Sequence, residues 1–198
     1  MRFPRRGGVT HISPKFDKII QGIGETSHIL KRCAKYKYFM SSTISDTAKH
    51  FIIADIQREI DLARITEKTK KSKQKSPLPQ GGGNFLAALG LLAYTEFAGK
   101  TKFNYKRNGR NHASKNFNGF FDLLGVEYKK LRKQHNVYDI LRSGLVHEYF
   151  SKKPCQIAML KPNNYKWPGI VVNDHGVFVF CVEQYFEDFK NALNEQFS

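Results

Sequence analysis

Cysteine is scarce in this chain, and its three copies, Cys33, Cys155 and Cys181, are isolated and never in C-x-x-C spacing. That excludes a disulfide framework and a cysteine zinc knot, and it places the protein most simply in a reducing cytoplasm. Acid is also in short supply, with 17 Asp and Glu against 33 Lys and Arg, a net charge of +16. An excess of this size attracts polyanions whatever the fold, and RNA is the expected partner. Long apolar runs are missing too. The longest, over residues 84–98, is too short for a membrane span and contains Thr95 and Glu96, so it reads as a buried core helix. No amphipathic basic helix presents a large apolar face, which argues against a membrane surface as the partner. The opening Met-Arg-Phe-Pro-Arg-Arg-Gly-Gly has no apolar segment after it and does not read as a secretory signal. The glycines at 81–83 lack the Gly-Lys-Ser or Gly-Lys-Thr that would make them a phosphate-binding loop. There are no internal repeats.

What is present is mostly helical patterning. Ser13-Pro14 reads as a helix start followed by Phe16, Ile19, Ile20 and Ile23, within an N-terminal helical extension over 1–44. Lys35 and Lys37 interleave with Tyr36, Tyr38 and Phe39, a pattern that fits base stacking but fits a turn with inward rings better. From Ser45 a stronger helix begins, with Ala48, Phe51, Ile52, Ile56, Ile60 and Ala63 on its buried face, running into a basic loop over 67–83. After the core helix, Gly99 reads as its stop. Lys100, Lys102, Lys106, Arg107 and Arg110 follow with Phe103 and Tyr105 among them, the densest basic and aromatic patch in the chain. Phe117, Phe120, Phe121 and Leu124 form a further core face, and a short basic helix follows over 127–133. His112 and His135 read as solvated residues rather than ligands. Beyond Pro154 the period changes, with β-branched runs at 157–160, 170–172 and 177–182. The last two are joined through Asn173-Asp174-His175-Gly176 as a hairpin. A terminal helix should pack Phe186, Phe189, Leu193 and Phe197 onto the body.

The most informative stretch is 136–150. Asn136 is a good N-cap, and Val137, Ile140, Leu141, Gly144 and Leu145 recur at helical spacing as one buried stripe. At about 100° per residue, Val146 falls opposite that stripe, flanked by Arg142 and His147 about 140° apart and about 7.5 Å along the axis. A solvent-facing valine between an arginine and a histidine suggests the same helix of a second copy across a two-fold axis. Ser143, one turn before His147, is placed to orient its ring.

Arg142-Ser143-Gly144-Leu145-Val146-His147-Glu148-Tyr149 resembles the R-x4-H motif of HEPN domains, and the added H-x-Y resembles the HEPN toxins paired with minimal nucleotidyltransferase antitoxins. The resemblance covers roughly residues 45–152 and not beyond, and implies an HEPN-like helical domain there; the change of period makes 153–198 a β-hairpin and terminal helix packed on the same domain. It implies a homodimer through the motif helix and metal-independent cleavage of RNA with no cofactor. Arg142 and His147 match the family's catalytic pair, and Tyr149 matches the tyrosine that the nucleotidyltransferase adenylylates. The position after the arginine is typically Asn, Asp or His in the family and is Ser143 here, a shorter hydrogen-bonding group. The chemistry suits these residue types: an imidazole titrates near neutrality, and a guanidinium stays charged and can grip two phosphate oxygens. Lys102, Lys106, Arg107 and Arg110, with Lys152 and Lys153 beyond the motif, are the candidate RNA contacts. A different reading stands beside this one: an HEPN-like module that binds RNA or a nucleotide without cutting, or a scaffold for a protein partner.

Overall fold

A computed structural model describes residues 44–72, 83–148 and 151–198. The proposed N-terminal extension, its interleaved aromatic and lysine segment, most of the basic loop and Tyr149 lie outside the described residues. The described part is mainly helical, with two small sheets and a C-terminal helix. Helix α1 spans Asp46–Lys71 and α2 spans Asn84–Phe103. Strands β1 (Lys106–Arg107) and β2 (Arg110–Asn111) lead to α3 (Ala113–Leu123) and α4 (Val126–Gln134). The motif segment follows as a π-helical turn, Tyr138–Ser143, running into the short α5, Gly144–His147. Strands β3 (Cys155–Ala158), β4 (Ile170–Val172) and β5 (Phe178–Cys181) precede α6 (Val182–Phe197).

Ser45 caps α1 as its sequence position predicts, its hydroxyl accepting the Ala48 amide at 3.2 Å. The helix buries Ile52, Ile56 and Ile60, one residue per turn, while Phe51 lies 62 % exposed instead of joining them. A helix face only about 100° wide excludes the neighbour of each buried isoleucine. α1 also runs on through Glu67, Lys68 and Lys71, where the sequence predicts a basic loop. Lys71 pairs with Glu67 one turn back at 2.7 Å, and the last-turn lysines sit against the negative end of the helix dipole.

Gly99 does not stop α2. The helix continues to Phe103 and ends at Asn104, which takes the left-handed conformation (φ 48°) that a helix end needs. Gly99 is instead a packing residue, since a Cβ there would run into the backbone carbonyl of Asn116 on α3. The glycine lets α2 and α3 approach closely. Between them and α6 lies the aromatic core: Phe117, Phe120, Phe121, Phe186 and Phe189 are all at most 1 % exposed. Each such ring contributes about 1.5–3 kcal/mol by leaving water. α6 places Phe186, Phe189, Leu193 and Phe197 inward as its pattern predicts.

The expected hairpin is there, with β4 antiparallel to β5 and Asn173 to Gly176 as the turn. It belongs to a three-stranded sheet of order β3-β5-β4, in which β3 joins β5 in parallel. The β3 and β5 partners are distant in sequence, so the crossover between them was not visible in local pattern. Buried polar groups tie α6 to α2 and this layer to α4. Tyr185 Oη shares a 2.8 Å hydrogen bond with Thr95, and the Gly169 amide donates to Tyr128 Oη at 2.7 Å. No helix among the described residues is long and apolar enough to cross a membrane.

Candidate functional site: the motif helix and a basic hairpin

The motif segment begins at Asn136, whose side chain accepts the Asp139 amide at 3.4 Å. Val137, Ile140, Leu141, Gly144 and Leu145 are all buried, the stripe that helical spacing predicts. The backbone is not a plain α-helix, however. Over Tyr138–Ser143 it widens to a π turn, closed by the Gly144 amide donating to the Asp139 carbonyl, and only then tightens into α5. A π turn holds an extra residue, so the angular placement of Arg142 computed for an ideal α-helix does not carry over.

Arg142 turns toward α2. Its Nε lies 2.7 Å from Glu96 Oε2, with both side chains more than four-fifths buried. The two charges touch, but their angle does not make a hydrogen bond, and both atoms are otherwise unpartnered. The contact engages Nε, while the two terminal nitrogens carry no hydrogen bond among the described residues. The guanidinium carbon is also 5.8 Å from the Tyr138 ring centroid. Burial raises the Tyr138 hydroxyl, with Glu96 adding to the shift. Five residues on, His147 is exposed at the end of α5, with no bonding partner among the described residues. Val146 beside it is 40 % exposed, as predicted. Ser143 does not orient His147, since no hydrogen bond joins their side chains.

Past the motif the chain folds back, the Lys152 amide donating to the Ile140 carbonyl at 2.9 Å. Lys152 therefore sits against the motif helix, but its ammonium is already claimed by Asp139 at 2.8 Å and Glu148 at 3.6 Å. The hydrogen bond to Asp139 raises its pKa. Lys153 is exposed and forms no ion pair among the described residues. Lys102 is partly spoken for, its Nζ reaching the Gln196 carbonyl at 3.4 Å and lying 5.9 Å from the Phe197 ring.

The other three candidate contacts fall on one element that composition alone did not reveal. Lys106–Arg107 and Arg110–Asn111 pair antiparallel in the register Lys106↔Asn111 and Arg107↔Arg110. Asn108 (φ 51°) and Gly109 (φ 74°) both take positive φ, the pattern of a two-residue type I′ turn. The Asn-Gly pair was the signal that could have found it. All six residues are exposed, and nothing lies within 4 Å of where a Gly109 side chain would begin. Arg107 and Arg110 face each other directly across the turn, an arrangement of like charges that costs up to about 1 kcal/mol. None of the three cations has an acidic partner among the described residues.

The base of this hairpin is fixed. Asn116, fully buried on α3, accepts the Tyr105 amide through Oδ1 at 2.8 Å. Its Nδ2 donates to the Tyr105 carbonyl at 3.2 Å and to Asn111 Oδ1 at 2.7 Å. The His112 amide adds a 2.9 Å bond to the same Tyr105 carbonyl. The Tyr105 ring stacks on Phe103 with centroids 5.3 Å apart, and Lys115 Nζ lies 4.3 Å from its centroid.

The remaining candidates carry no chemistry. His112 and His135 are half-buried rather than solvated, His112 Nδ1 lying 3.4 Å from Ser114 Oγ and His135 packing edgewise on Phe178 at 5.4 Å. Burial pushes the Cys155 thiol up to about 11, so it is no nucleophile at neutral pH. Among the described residues no group of three His, Cys, Asp or Glu is placed to hold a metal ion. No family model, no curated protein and no solved structure matches this chain.

Proposed function

We propose that the chain is an HEPN-type, metal-independent endoribonuclease acting as a cytoplasmic homodimer, with Arg142 and His147 as its catalytic pair. The observation that carries this reading is the motif segment itself: His147 stands free in solvent, and Val146 beside it is exposed. Arg142 is held by Glu96 through Nε, which leaves its terminal nitrogens for a phosphate. A net charge of +16 supplies attraction to the substrate.

In the reaction the 2'-hydroxyl of the RNA gives its proton to a base and attacks phosphorus. The bond to the 5'-oxygen breaks, and that oxygen takes a proton from an acid. The His147 copies of a dimer are suited to the base and acid roles, and Arg142 to the charge that grows on the phosphate. The resemblance further suggests the toxic half of a defence or toxin and antitoxin system, with a nucleotidyltransferase modifying Tyr149.

The second reading, an RNA-binding module that does not cut, is favoured by the same Arg142 to Glu96 contact. It ties the guanidinium to its own chain. Incubating the protein with RNA in EDTA separates the two. Wild type should cleave, and Arg142→Ala and His147→Ala should each lose at least about a hundredfold in rate. RNA bound but left intact by wild type overturns the nuclease and leaves the binding module.

A further inference from the structure

The motif helix does not account for the hairpin of β1 and β2. It is a charged finger, three cations and two asparagines around one glycine, with no apolar side chain anywhere from 106 to 111. A membrane-seeking loop would need such side chains to enter the headgroup boundary. A protein interface would normally offer a large ring or aliphatic group as its anchor. Nucleic acid needs neither, because its affinity comes chiefly from neutralised phosphates.

The nearest rings make the chemistry more specific. Tyr105 stacks on Phe103 and has the Lys115 ammonium over its ring, and both aromatic residues are half-buried at the finger's base. These rings are engaged with their own chain and are poorly placed to stack a base. What the finger offers a ligand is cationic charge. It is offered in a fixed geometry: buried Asn116 holds the Tyr105 amide and carbonyl and the Asn111 side chain, and the Asn108-Gly109 turn sets the distance between Arg107 and Arg110. Ligand binding then orders only side chains, since the backbone is already in place.

We infer that Arg107 and Arg110, paired on one face of the ribbon, form a rigid phosphate clamp that grips the RNA backbone without reading its bases, with Lys106 on the opposite face adding a second phosphate contact. A phosphate between the two arginines replaces their mutual repulsion by attraction to a common anion. This inference rests on RNA being the substrate of the proposed nuclease and adds how the strand is held: by backbone charge, in a sequence-independent way.

The test is the affinity of the full chain for a labelled oligouridine and a labelled oligoadenosine over a series of salt concentrations, with a Lys106→Gln, Arg107→Gln, Arg110→Gln triple variant. A matched control, Lys129→Gln, Lys133→Gln, Lys166→Gln, removes the same charge at exposed positions elsewhere. The hairpin variant should lose at least about tenfold in affinity for both oligomers. Its slope of log affinity against log salt should flatten by about 1.4, roughly 0.7 for each of the two phosphates that are no longer neutralised. The control should lose much less, and both variants should melt as wild type does. Wild-type affinity in the hairpin variant overturns the clamp, as does an equal loss in the control, which would leave only net charge. A loss confined to one oligomer would mean base readout instead. Displacement of RNA by polyglutamate or by anionic vesicles at matched charge would mean that the partner is another polyanion. If wild type binds RNA but never cuts it, the nuclease reading falls and the clamp stands. If wild type cuts RNA and the hairpin variant binds undiminished, the reverse holds.

Discussion

The motif helix and the β1 to β2 hairpin are both cationic, and the fold treats their charges in opposite ways. On the motif side Arg142 meets Glu96, and Lys152 meets both Asp139 and Glu148. On the hairpin Arg107 meets Arg110, and Lys106 meets only an asparagine. Charges answered within the chain set the geometry of a site, since a mostly buried ion pair fixes a side chain's direction at modest net gain. Charges left unanswered on a rigid support are available to a ligand. On the proposed reading, orientation of the phosphate falls to the first region and capture of the strand to the second. The proportion of basic residues alone would not have separated these roles.

Removing the hairpin's support should have the largest effect on the fold. Asn116→Ala leaves the Tyr105 amide and carbonyl without their buried partner and should cost about 2–3 kcal/mol, a fall of roughly 4–12 °C in melting temperature. A melting curve that matches wild type would mean that the hairpin is not held from below. Next in size is the motif side. Glu96→Ala takes the counter-charge from a mostly buried guanidinium and should cost about 1–2 kcal/mol, with RNA cleavage reduced as Arg142 loses its direction. Undiminished cleavage would show that Glu96 does not position Arg142. Val146→Asp puts a charge on the exposed valine beside His147 and should shift the protein from dimer toward monomer in light scattering; an unchanged mass would move the two-fold contact elsewhere. The smallest effect belongs to Lys152→Ala. Because Asp139 and Glu148 already neutralise that ammonium, RNA affinity should fall by less than about threefold. A loss equal to that of the hairpin variant would erase the distinction between answered and unanswered charge.

Much of the architecture could be read from periodicity, because the buried faces follow it. Ile52, Ile56 and Ile60 of α1, the phenylalanines of α3 and α6 and the stripe from Val137 to Leu145 all lie inside as their spacing predicts. What pattern could not supply came from packing between segments distant in sequence. Gly99 has the appearance of a helix stop, but its role is set by the backbone of Asn116, on the next helix, pressing against it. The π turn at Tyr138 to Ser143 has no compositional mark, and it is where Arg142 meets Glu96 of another helix. The hairpin is a different case. Asn108-Gly109 carries its turn in plain local chemistry, and the weight of basic and aromatic residues around it points toward a patch rather than a strand pair. The candidate residues themselves, Arg142 and His147, were legible as a spacing on a helix; how each is partnered was not.

The most direct test of the central proposal is the chemical identity of the RNA ends left after incubation with the wild-type protein in EDTA. Attack by the 2'-hydroxyl predicts fragments with a 2',3'-cyclic phosphate at one new end and a 5'-hydroxyl at the other. Fragments bearing 5'-phosphates, or RNA recovered whole from the complex, would contradict it.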